Sequence, residues 1–128
     1  MRPEFFLDRC LGRKIAQELR GKGWTVHLVA DVFPDDGQET SDTDWIAHGI
    51  SRGWALLTQD DRIRYRASEL AALADGTRVP FCLSSAKLTA AAKVDRFIAA
   101  GDDIRRAIQR GGPAFCRVYE DRVERKWP

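Results

Sequence analysis

The sequence predicts an α/β fold built on a mainly parallel central sheet, and three observations carry that reading. Short apolar runs alternate with amphipathic stretches, the pattern of strands joined through helices. Three of the apolar runs end on a carboxylate, at Asp8, Asp31 and Asp60. The tail AFCRVYEDRVERKW breaks the alternation and reads as a C-terminal hairpin turning near Glu120 and Asp121.

Glu4–Asp8 (EFFLD) is a short apolar strand. Leu11, Ile15 and Leu19 then share one helical face with Ala16 beside them, and Gly21 and Gly23 close that helix. Thr25–Asp31 (TVHLVAD) reads as a second strand with β-branched character, followed by an acidic, turn-rich loop from Val32 to Thr40. Ser41–Arg52 is a helix carrying Trp45, Ile46 and Ile50 and stopped by Gly53. Trp54–Asp60 (WALLTQD) is the strongest strand, and Ala67–Asp75 a short helix. Phe81–Ser84 is a fourth strand, and Pro80 pushes it or its start toward a sheet edge. From Thr89 to Gln109, Val94, Phe97, Ile98, Ile104 and Ile108 keep helical spacing until Gly111 and Gly112.

The 128 residues suit a single domain, 1–128, long enough to bury a core, and 44% hydrophobic with 31% charged residues is ordinary globular composition. No apolar run is long enough to cross a bilayer, and the N-terminus lacks a signal-peptide pattern. Cys10, Cys82 and Cys116 are odd in number and widely spaced, which reads as buried free thiols in a reducing, cytoplasmic setting; with no membrane-length apolar run, no membrane partner is expected. A net charge of +2 gives no global nucleic-acid signature, so any electrostatic footprint is local.

In open parallel sheets the ligand sits beyond the carboxyl ends of the strands, where strand order reverses. That rule turns the acids into a candidate site. Asp8, Asp31 and Asp60 end strands, and the helix entered at Ser41 brings Asp42 and Asp44 to the same edge. Carboxylates packed together repel unless a cation compensates. Mg²⁺ or Mn²⁺, hard ions with oxygen ligands, are the natural partners, and they activate water for phosphodiester hydrolysis without a covalent nucleophile. Each acid also has a purely structural explanation. Asp8 can cap the helix after it, Ser41 to Asp44 fits a capping box, Asp42 favours the helix dipole, and Asp60 and Asp61 suit a turn. Convergence of several acids on one edge favours a site.

FFLD at the first strand end, DWI opening a central helix and WALLTQDDRIR closing the next strand together resemble PIN-like domains, nearest the shortened VapC-related toxins. The resemblance runs from Phe5 to about Leu83. It implies a three-layer α/β/α sandwich that cuts single-stranded RNA with Mg²⁺ or Mn²⁺. On this resemblance Asp8, Asp44 and Asp60 are the catalytic, metal-holding acids, Asp42 and Asp61 are secondary metal candidates, and Thr58 supports a neighbouring carboxylate. It also implies a cognate antitoxin and homodimerisation. One departure stands out. Many PIN domains carry a further acid, usually Glu, on a helix before the Asp44 equivalent, where this chain has only the 32–40 loop, and Asp31, Asp35, Asp36 and Glu39 are the candidates.

Arg62 and Arg64 follow Asp60, with Tyr65 among them, and Arg9 follows Asp8. Guanidinium groups bind phosphate and Tyr stacks bases, so these are candidate RNA contacts, the structural alternative being a solvated charged surface. Arg13 and Lys14 fit the solvated reading. The chain has no P-loop, Rossmann or nucleophile-elbow motif. Two rivals remain: a catalytically silent PIN-like module that binds a partner, and a phosphoacceptor domain. The second requires a lysine from a separate strand end, and Lys87 follows Ser84 and Ser85 too closely to supply it.

Overall fold

The structure, a computed structural model, describes residues 3–33, 40–60, 79–112 and 114–127. Among these residues, six strands form one sheet: β1 (Glu4–Leu7), β2 (Thr25–Leu28), β3 (Ala55–Thr58), β4 (Pro80–Leu83), β5 (Phe115–Val118) and β6 (Val123–Trp127). Their order is β2-β1-β3-β4-β5-β6, parallel throughout except for the β5–β6 hairpin. The helices are α1 (Gly12–Gly21), the single turn α2 (Val29–Val32), α3 (Asp42–Arg52), α4 (Ala90–Ala99) and α5 (Gly101–Arg110). The predicted mainly parallel α/β sheet and the hairpin are both present, the latter closed by Tyr119 N–H donating to Arg122 O at 2.8 Å.

Strand alternation divides the core into two layers. Phe5, Leu7, Leu57, Phe81 and Val118 face α1, α4 and α5 through Ile15, Leu19, Val94, Phe97 and Ile104. Phe6, Leu56, Cys82 and Phe115 face the other way, onto Trp45 and Ile46 of α3. Phe6 is fully buried there and meets Trp45 and Trp54 edge-on, with centroids 5.9 and 5.1 Å apart. Such pairs add about 0.5–1.5 kcal/mol beyond burial. Gly49 permits this close fit: a Cβ there would overlap the Leu56 side chain and stand 3.1 Å from Phe6 Cδ2. Gly53, at φ +76°, then ends α3 and lets Trp54 N–H reach Gly49 O at 2.9 Å.

Four sequence expectations are corrected. The second strand stops at Leu28 instead of reaching Asp31. It is an edge strand paired only with β1, whose last residue Leu7 is level with Leu28, so nothing remains to pair. The chain instead turns into α2, where Asp31 is exposed and ion-paired to Arg13 at 3.7 Å and Arg20 at 4.0 Å. β3 is likewise shorter than Trp54–Asp60, ending at Thr58. β4 is an interior strand, not an edge. Pro80 is its first residue, where a missing N–H is tolerated. The stretch from Thr89 to Gln109 is two helices that break at Ala100. The overlooked sign was the acid pair Asp102 and Asp103, which occupies the first turn of α5. The Ala67–Asp75 helix lies outside the described residues.

Candidate active site

Chain connections leave β1 in one direction toward β2, and β3 lies on its other side, so strand order reverses between β1 and β3. The register fixes what stands there. Leu7 is level with Leu57, so the next residues stand side by side: Asp8, just past β1, and Thr58, the last residue of β3. Asp8 N–H still donates to Leu57 O at 2.9 Å. Alternation sends Thr58 to the face covered by α3, the face of Leu56. Asp8 and Thr58 are the buried polar residues among those described, at 8% and 0% exposure.

The Thr58 hydroxyl donates to Asp8 Oδ2 at 2.8 Å. The same oxygen accepts the Asp60 backbone N–H at 3.0 Å. One hydroxyl therefore ties the acid after β1 to the turn that carries the acid after β3. A Thr-to-backbone bond two residues on is a standard way to fix a turn, and here it sets where Asp60 leaves the sheet. Cys10, in the 3₁₀ turn Arg9–Leu11 that follows Asp8, brings its sulfur within 3.9 Å of Thr58 Oγ1. Although the residue as a whole is exposed, its thiol end is shielded. Burial, reinforced by the Asp8 charge, pushes the Cys10 thiol up to about 12, so it stays protonated at neutral pH. Cys82 and Cys116 are buried free thiols, as expected, whereas Cys10 is not buried.

Further along the same edge the structure adds residues that the sequence reading missed. Gln59 faces away from Thr58 and accepts from Lys93 Nζ of α4, while its amide nitrogen donates to Cys10 O at 3.3 Å. Ser84, just past β4, accepts from Arg96 Nη1 at 2.9 Å, and its carbonyl accepts from Arg117 at 3.1 Å. The signal was available: Lys93 and Arg96 are one turn apart on a helix that begins at the carboxyl edge. Reading that helix only for its apolar face hid them.

Asp44 is the third residue of α3, and its backbone N–H donates to the Ser41 hydroxyl at 3.1 Å, as in half a capping box. Its side chain is exposed. α3 ends three residues before β3 begins. Its N-terminus therefore lies about 16 Å back along the helix axis, toward the carboxyl edge. Among the described residues, no three His, Cys, Asp or Glu side chains form a group that could hold a metal ion. What the edge does bring together is Asp8 and the Asp60 turn. Arg9 is exposed beside Asp8. Asp42 is the first residue of α3. Asp61, Arg62 and Arg64 lie outside the described residues, as do Asp35, Asp36 and Glu39.

The donor set suits a hard cation. Mg²⁺ is commonly held by one or two carboxylates, with water and substrate phosphate completing its shell, and Asp8 and Asp60 are carboxylates on adjacent strand ends.

A family model described as a PIN like domain matches residues 3–85. No curated protein and no solved structure matches the chain.

Proposed function

The chain belongs to the PIN-like domain family, and from that premise we propose that it is a metal-dependent endoribonuclease, the toxin of a toxin–antitoxin pair related to VapC. The observation that carries the reading is the Thr58 hydroxyl, shared between buried Asp8 and the Asp60 turn at the reversal of strand order. PIN-like domains are typically nucleases, and a buried carboxylate such as Asp8 is costly to maintain for stability alone.

In this reading Asp8 and Asp60 hold Mg²⁺ or Mn²⁺ through carboxylate oxygens, and Asp44 completes the set from the start of α3. Asp42 and Asp61 are secondary ligands. The ion supplies a Lewis acid for the phosphoryl oxygen and for the attacking water. Thr58 orients Asp8 by donating to Oδ2. Arg9, Arg62 and Arg64 contact phosphates of single-stranded RNA flanking the scissile bond. A cognate antitoxin blocks the site, and the active chain is a homodimer. The deciding experiment incubates the purified chain with structured and unstructured RNAs in Mn²⁺, Mg²⁺ or EDTA. Metal-dependent cleavage that Asp60→Asn abolishes is the expected result; no cleavage in any metal would overturn it.

A second reading has its own supporting observation. Because no three-acid group forms among the described residues, the chain can be a PIN-like module that binds a partner without catalysis. Absence of Mn²⁺ binding by calorimetry would favour that reading.

A further inference from the structure

We infer that Lys93 and Arg96 of α4 form a phosphate-binding pair that guides the RNA strand away from the carboxylate site, across the ends of β3 and β4. The inference rests on the nuclease reading and assigns the substrate path to residues beyond the stretch matched by the family model.

Both cations are half-buried, and each is tied to a neutral oxygen. Lys93 Nζ donates to Gln59 Oε1 and Arg96 Nη1 to Ser84 Oγ. Neither has a carboxylate at ion-pair distance among the described residues. Other arginines of the fold are compensated: Arg105 and Arg106 pair with Asp102 and Asp103, and Arg122 with Asp121 and Glu124. Withdrawing a cation partly from water without a counter-ion is unfavourable. Two such cations one helical turn apart therefore indicate an anion supplied from outside.

Their position selects the ligand. Gln59 lies between Thr58 and Asp60, so Lys93 reaches the residue that separates the two site residues. Arg96 lies one strand further on, at the rim of a cleft of about 420 Å³ lined by Ser84, Arg96, Tyr119, Glu120, Asp121 and Arg122. In that cleft Arg122 sits over the Tyr119 ring, 4.2 Å from its centroid, and is already balanced by acids. Arg96, by contrast, has no ion-pair partner among the described residues. A chain with regularly spaced anions leaving the Asp8–Thr58–Asp60 turn meets Lys93 first and Arg96 next. A polynucleotide backbone has that form, and a guanidinium takes phosphate bidentately.

The test measures binding of a fluorescein-labelled single-stranded 12-mer RNA to the full chain in EDTA, across a salt series. For Lys93→Gln/Arg96→Gln, affinity should fall roughly tenfold, and the salt slope should lose about 1.4, the value for two phosphate contacts on a single strand. Lys22→Gln/Arg105→Gln removes the same charge at the opposite edge, where both residues line a separate cleft with Trp24, and should change affinity less than twofold. Lys93→Arg/Arg96→Lys keeps the charge and should keep binding, which guards against a folding defect. Equal affinity in the α4 variant and the wild type would overturn the inference. So would an equal loss in the opposite-edge control, or no RNA binding by the wild type. Cleavage in Mn²⁺ is scored separately. Cleavage without any α4 effect on binding sinks the phosphate pair alone; the α4 binding pattern without cleavage sinks the nuclease reading and leaves the pair standing.

Discussion

The Thr58 hydroxyl and the Asp8 carboxylate meet at 2.8 Å although fifty positions separate them in the chain. Their meeting follows from register. Leu7 level with Leu57 leaves the next residue of each strand adjacent, with both strands ending there. The bond distinguishes a positioning hydroxyl from an ordinary buried threonine, because the same oxygen also takes the Asp60 amide.

Thr58→Val, nearly isosteric, removes that donor and acceptor together. Leaving buried polar groups without such a partner costs about 1–3 kcal/mol, so urea denaturation should show a loss in that range. Metal-dependent RNA cleavage should fall much more than stability explains, measured well below the melting point. Thr58→Ser keeps the hydroxyl and should restore most of the cleavage. A Val variant that cuts RNA as fast as the wild type would remove Thr58 from the site.

Gly49→Ala tests how closely α3 lies on the sheet. Helix propensity favours Ala over Gly by about 1 kcal/mol. The new methyl would nevertheless overlap Leu56, which is fully buried and packed beneath α3, and crowd Phe6. Overpacking costs about 1–3 kcal/mol, so the net effect should be a lower melting temperature, checked by thermal denaturation. A gain in stability would mean that α3 can slide outward freely.

These residues show what the sequence made legible. Alternation and helical spacing located β1 with Asp8 at its end, α1, α3 and the β5–β6 hairpin, because those signals are local. The end of β2 at Leu28 was hidden, since it depends on where the neighbouring strand β1 stops. The interior position of β4 was hidden for the same reason: Pro80 speaks about one N–H, not about what lies on either side. At the site, Asp8 and Asp60 could be selected as acids closing apolar runs, and Thr58 through the family resemblance. Lys93 and Arg96 could not, because their meaning comes from Gln59 and Ser84, side chains met only through folding.

Asp44 separates a helix cap from a ligand. Its backbone N–H, not its side chain, makes the bond to Ser41, so Asp44→Asn should leave stability within about 0.5 kcal/mol, as for an ordinary surface change. Ser41→Ala should cost about 1 kcal/mol by loss of the cap and spare cleavage. If Asp44 is a metal ligand, Asn there abolishes cleavage. Unchanged rates in Asp44→Asn, measured beside Ser41→Ala, would reduce Asp44 to its structural role.

His48 gives the fold a pH dependence. Burial, and then the nearby Arg52 charge, lower its affinity for a proton below the ordinary 6.5, among the rings of Phe6, Phe33 and Trp54. The folded state thus binds its proton less readily than the unfolded chain. Stability is full above the unfolded value of 6.5 and declines as pH falls from there through the folded value. Urea denaturation from about pH 5 to pH 7 should show that slope, and His48→Gln should flatten it. The same slope in the variant would assign it to another group.

Metal binding gives the most direct prediction for Asp8. A ligand that binds only the folded state stabilises it by mass action, about 2.7 kcal/mol at a hundredfold excess over Kd. Mn²⁺ should therefore raise the melting temperature of the wild type in a concentration-dependent way, and EDTA should reverse the rise. Asp8→Asn retains an oxygen that can accept from Thr58, so the contact now made at 2.8 Å survives in kind while the charge is lost. Its fold should persist, and metal-free stability should equal or exceed that of the wild type if neighbouring acids repel Asp8. The Mn²⁺-induced shift should vanish with the charge, because a hard cation at this edge depends on an anionic oxygen. A shift of equal size in Asp8→Asn would place the ion elsewhere, and no shift in the wild type at millimolar Mn²⁺ would leave the carboxylate pair without a metal to hold.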